Sequence, residues 1–92
     1  MNFMQQDNVN KKQQILNSLA KTMKELRGGQ SRFMLCSEND ISLSIISTAE
    51  RALKDPQLTT IFKLAEAYGI TPVEFVSKIV KNLPKDFSII EK

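Results

Sequence analysis

The chain has 92 residues, 41% hydrophobic and 25% charged, with a formal charge of +3. That length holds one domain around one modest core, and no apolar run approaches the ~20 residues of a membrane span. The absence of histidine and the presence of one cysteine, Cys36, exclude the commonest general base, an intrachain disulfide and a thiolate metal site.

No phosphate-cradling glycine loop or nucleophile elbow occurs, and most carboxylates sit beside lysines as on a solvated helix face. The chain is therefore not expected to be an enzyme, and no cofactor or metal is expected. The opening "MNFMQQDNVNKKQQ" lacks the apolar segment of a secretory leader, so a cytoplasmic protein is expected. The charge is uneven: the whole positive excess lies before Asp55, where Lys11, Lys12, Lys21, Lys24, Arg27, Arg32, Arg51 and Lys54 outnumber the acids. A basic half suits a polyanionic partner.

Residues 1–9 read as a disordered lead-in, polar and without periodicity. A first helix is predicted from Asn10, its N-cap, with Ile15, Leu16, Leu19, Met23 and Leu26 on one face and Gly28–Gly29 as its stop. Ser31 caps a second helix over about 32–38, with Leu35 and Cys36 inward. Asn39 and Asp40 tolerate the left-handed turn that follows. Ser42 caps a third helix over about 43–51, with Ile46 and Ala49 inward and Ile41 packing from the turn. A strand over 41–48 is the competing reading; no second strand exists to pair with it, and Ala49–Ala52 continues as helix.

After a loop holding Pro56, a fourth helix presents Leu58, Ile61, Leu64, Ala65 and Tyr68, and Gly69 ends it. Thr71, Pro72 and Glu74 form a complete start signal. The fifth helix then shows Phe75, Val76, Ile79, Val80 and Leu83, until Pro84 stops it. The tail 84–92 keeps Phe87, Ile89 and Ile90, too apolar to hang free, and is expected to dock on the domain or on a second subunit.

The stretch "ISLSIISTAERALKDPQLTTIFKLAEAYGITPVEF", residues 41–75, resembles the helix-turn-helix family of phage Cro and repressor proteins, the XRE family. Ile41-Ser42, Ile46, Ala49, Glu50-Arg51, Pro56, Leu58, Ile61, Leu64, Ala65, Gly69, Thr71-Pro72 and Glu74 keep the family's register, and the likeness extends over roughly 15–80. It implies an all-α, five-helix Cro/lambda-repressor-like helix-turn-helix domain over 10–83. Four departures stand out. The connection between the first two helices is about two residues short. Asn39 lies where an apolar residue is usual. Ala52 replaces a glycine of positive φ, so either it carries the strain or the helix runs on to Leu53. The reading helix also lacks the Arg, Gln, Asn or Lys that usually read bases.

The resemblance implies double-stranded DNA as partner, with the helix at 43–51 in the major groove, usually from a homodimer. Ser31 and Arg32 would meet phosphate, Arg32 standing where glutamine is more usual; Arg51 and Lys54 would grip the backbone on the other side. Leu43, Ser44, Ser47 and Thr48 would face base edges, where short hydroxyls and methyl contacts discriminate weakly. Phe75, Ile79, Leu83 and Phe87 form a candidate dimer seam; the alternative is that they complete a monomer's core. The expected function is that of a small transcriptional regulator, a repressor. The alternative is a protein-interaction module or antitoxin on the same fold, with a toxin as partner, suggested by Leu43, Ile45 and the apolar tail.

Overall fold

The computed structural model describes residues 10–90. Among them the chain forms five helices and no strand: α1 Lys11–Arg27, α2 Arg32–Asn39, α3 Leu43–Glu50, α4 Leu58–Ala67 and α5 Pro72–Lys81. The expected lead-in over 1–9 and the last two residues of the tail lie outside the described residues. No helix among the described residues is long and apolar enough to cross a membrane.

Local chemistry sets most helix starts. The side chains of Asn10, Ser31 and Ser42 each accept from the backbone N–H three residues on, at 2.8, 3.1 and 3.1 Å. Each satisfies one of the free donors of a helix N-terminus. Thr71 and Glu74 close a full capping box, at 3.1 and 3.0 Å. The exception is α4, whose N-cap Gln57 makes no side-chain cap hydrogen bond; Pro56 lies just outside that helix instead of opening it. Between α2 and α3, Asp40 takes the left-handed conformation, φ 53°.

The core joins Leu19 and Met23 of α1, Leu35 of α2, Ile41, Ile46 and Ala49 around α3, Leu64 and Ala65 of α4, and Phe75 and Ile79 of α5. In it α1 packs on α3 and α5, α2 on α3, and α4 on α5. A polar seam ties α1 to the end of α5. Ser18 Oγ donates to the Ile79 carbonyl, Thr22 Oγ1 to the Ser18 carbonyl at 2.8 Å, and Asn82 Nδ2 to Thr22 Oγ1 at 2.8 Å.

Two expectations are corrected by this packing. Phe75 is fully buried and Ile79 nearly so, because they point at α1 and α4; neither offers surface for a dimer seam. The apolar residues of α5 thus divide into a buried stripe and an exposed one, Val73, Val76 and Val80, of which Val76 and Val80 border an apolar groove with Ile15 and Leu16 of α1 and Leu58 and Ile61 of α4. Leu58, expected inward, is exposed. Among the described tail residues Phe87 is partly buried, near Val80, Leu83 and Pro84, and the Ile90 carbonyl accepts from Lys11 Nζ at 3.3 Å, while the side chains of Ile89 and Ile90 stay exposed.

The alternative posed at Ala52 is resolved in favour of strain. Ala52 has φ 57°. Its N–H bonds the Ala49 carbonyl at 3.1 Å and the Leu53 N–H bonds the Thr48 carbonyl at 2.9 Å. That pair of bonds is a Schellman turn with alanine at the position glycine favours. Ala52→Gly is therefore expected to stabilise the protein by about 0.5–1 kcal/mol, because relief of the left-handed strain exceeds the added freedom of the unfolded chain. A rise of a few degrees in the midpoint of thermal unfolding, followed by circular dichroism, would show it.

Candidate nucleic-acid interface

The helical period sorts the residues of α3 into two faces. Ile46, Ala49 and Glu50 are buried, and Leu43, Ser44 and Ile45 are exposed, with Ser47 and Thr48 at the margin. Arg51, immediately after the helix, is exposed one and two turns along from Ser47 and Ser44. The four base-facing candidates therefore do reach a single surface. They are not equivalent. The Thr48 hydroxyl donates back to the Ser44 carbonyl at 2.7 Å, so its proton is engaged and it retains acceptor capacity. Among the described residues the Ser44 and Ser47 hydroxyls make no such bond and keep both donor and acceptor capacity.

Glu50 fixes how this helix is held. Its side chain is fully buried. Arg27 meets it as a fork, Nε to Oε2 at 2.7 Å and Nη2 to Oε1 at 2.8 Å, and Arg32 adds Nε to Oε1 at 2.9 Å. Arg27 Nη1 also donates to the Gln30 carbonyl at 2.8 Å. One carboxylate thus joins the end of α1, the loop after it, the start of α2 and the end of α3. Burial pushes the Glu50 carboxyl up, but the hydrogen bonds and charges of Arg27 and Arg32 outweigh it and hold it below the usual carboxylate range. Nearby, burial raises the Tyr68 hydroxyl, with the Glu50 charge acting in the same direction. Its oxygen is buried without a hydrogen-bond partner among the described residues, and its ring tilts on Phe75 at 5.8 Å between centroids.

The cations fall differently from their expected grouping. Arg32 is not a free anion ligand, since its Nε is engaged by Glu50. Ser31, beside it, uses its oxygen to cap α2. Arg51 does not join Lys54; it lines a depression with Arg32, while Lys54 lines another with Ile45, Thr48, Gln57 and Thr60. The turn at Ala52 reverses the chain and carries Lys54 to the opposite flank of α3. Neither Arg51 nor Lys54 forms an ion pair among the described residues.

Sequence reasoning missed Arg27 and the burial of Glu50. A signal existed for Glu50, which lies four residues after Ile46 on the inward stripe. No signal existed for its partners, which arrive from other helices.

No protein-family model matches the chain, and no curated protein or solved structure is detectably similar to it.

Proposed function

We propose that the protein binds double-stranded DNA with some sequence selectivity and acts as a small repressor-type regulator. In this reading α2 and α3 form a helix-turn-helix, α3 enters the major groove and α2 crosses the backbone. The observation that carries the reading is the outward face of α3, with Leu43 and Ser44 exposed and Ser47 and Thr48 at its margin, flanked on its two sides by Arg51 and Lys54, which form no ion pair among the described residues. Backbone contacts on both sides of a groove position a reader, and the helix between them reads. None of the four side chains can make a two-bond contact with a purine edge. Selectivity then rests on thymine methyl contacts, short hydroxyls, bridging water and the shape of the duplex.

A two-fold partner would use the surface that α5 leaves open, Val76, Val80, Leu83 and Phe87, without Phe75 and Ile79. A second reading, a protein-binding module such as an antitoxin, is favoured by the exposure of Leu43 and Ile45 on α3, 50% and 38%.

Enrichment from a random duplex library, followed by gel shift across salt concentrations, tests the first reading. An enriched inverted repeat is expected, with affinity falling steeply as salt rises. Arg51→Ala and Lys54→Ala are each expected to weaken all duplexes alike and to reduce the salt slope by about 1. Absence of salt-sensitive duplex binding, together with a stable complex with a protein partner, would replace this reading by the second.

A further inference from the structure

The depression that holds Arg51 and Arg32 is completed by α1. Its volume is about 420 Å³, and it brings Lys21 and Lys24 to the same concavity. Four cations line it against one carboxylate, that of Glu50. That carboxylate is buried and already bridged by two guanidiniums, one of them Arg27 from outside the depression. It therefore offsets little of the charge an arriving anion would meet. Lys21 and Lys24 are exposed and form no ion pair among the described residues. They lie about 4.5 Å apart along the axis of α1, close to one turn. Asn17, one turn earlier on the same side, adds an uncharged polar group to the lining.

We infer that this α1 trough is a phosphodiester site, and that Lys21 and Lys24 extend the duplex contact from α3 onto the first helix. The inference rests on the proposed DNA-binding reading and deepens it. Arg51 is the link: it shares the outward stripe of α3 with Ser44 and Ser47, and it opens onto the trough. A strand bordering the groove that α3 occupies passes Arg51 and then meets the two lysines. Lys54, on the other flank of α3, supplies the opposite border. The trough contacts carry no base information, so they add affinity uniformly. That supplies by charge what the weakly discriminating side chains of α3 do not supply by base contact.

The test is the double variant K21A/K24A in the full chain, compared with K78A/K81A. The second pair removes the same charge from α5, where Lys78 and Lys81 line a separate depression with Thr22, Glu25 and Leu26. Duplex affinity is measured over a salt series on the best library-selected sequence and on a scrambled one. For K21A/K24A, affinity is expected to fall about tenfold on both duplexes and the salt slope to decrease by about 1 to 2 per protomer. The α5 pair is expected to leave the slope nearly unchanged. Wild-type binding that K21A/K24A leaves unaltered would overturn the trough while the DNA-binding reading stands. An equal loss from both pairs would also overturn it, because overall charge would then explain the effect. Absence of duplex binding by the wild-type protein would overturn the reading and the trough together.

Discussion

Replacing Glu50 by alanine is expected to lower the stability of the folded chain by about 3 kcal/mol, because it strips a buried carboxylate from two guanidiniums. For a domain of this size that is a large share of the total, roughly 5–15 kcal/mol. The loss has two parts. Arg27 loses both arms of its fork, and its side chain is only 19% exposed, so water recovers little of that bonding. Arg32 loses one bond but is 36% exposed and can turn to solvent. Arg32→Ala is accordingly expected to be the milder change, about 1–1.5 kcal/mol. Arg27→Lys is expected to fall between them, since an ammonium cannot reproduce the two-bond fork. Urea titration at neutral pH ranks the three. Glu50→Gln isolates the charge and gives a pH signature. The Glu50 carboxyl is held below the usual range in the folded chain, so its contribution is complete above the unfolded value of about 4.3 and is lost as pH falls through the lower folded value. The wild-type chain should therefore lose stability in acid more steeply than the glutamine variant. Some acid slope should survive in that variant, because Glu74, bonded by Thr71, is lowered in the same direction. Equal acid slopes in the two proteins would show that the carboxylate is not held by the arginines in solution.

The clamp also marks the boundary of what the sequence discloses. Helix starts were legible because their causes are local: Asn10, Ser31, Ser42 and Thr71 each bond a backbone group three residues away. The helix over Leu43–Glu50 was legible because Ile46 and Ala49 keep the period and the sequence offers no second strand to pair with it. Glu50 was placed at a helix end and not in the interior, since its partners lie 18 and 23 residues back, on other helices. The α5 residues show the same limit. Five apolar side chains announce an apolar helix, but which stripe is covered depends on where α1 and α4 lie. From sequence, Phe75 and Ile79 therefore fit a seam or a monomer's core equally, and the packing of α1 and α4 makes them core. Arg51 and Lys54 line different depressions for a smaller reason. One left-handed residue, Ala52, turns the chain between them, and the strain it carries had made an uninterrupted helix an equal alternative.

Ser44→Glu is expected to abolish most duplex binding while leaving the fold intact, and this separates the face of α3 from the scaffold beneath it. Ser44 is exposed, and its hydroxyl makes no hydrogen bond among the described residues. It is the second residue of α3, in the first turn after the cap Ser42. A carboxylate there meets the positive end of the helix dipole, which favours it by about 0.3–1 kcal/mol. Thermal unfolding should therefore be unchanged or slightly raised. With α3 in a major groove, the same carboxylate would be brought against a polyanion and lose its water. Like-charge apposition of that kind costs several kcal/mol, so affinity should fall about 30-fold or more on every duplex. Ser44→Arg reverses the sign: it should tighten binding and steepen the salt dependence by about 1, with a new preference for guanine opposite that position. The pair decides between the two readings of this face. In a protein-binding module the glutamate would disturb an apolar contact between Leu43 and Ile45, and the arginine would disturb it as well. Opposite effects of the two charges on duplex affinity, at equal stability, are what a face apposed to DNA requires.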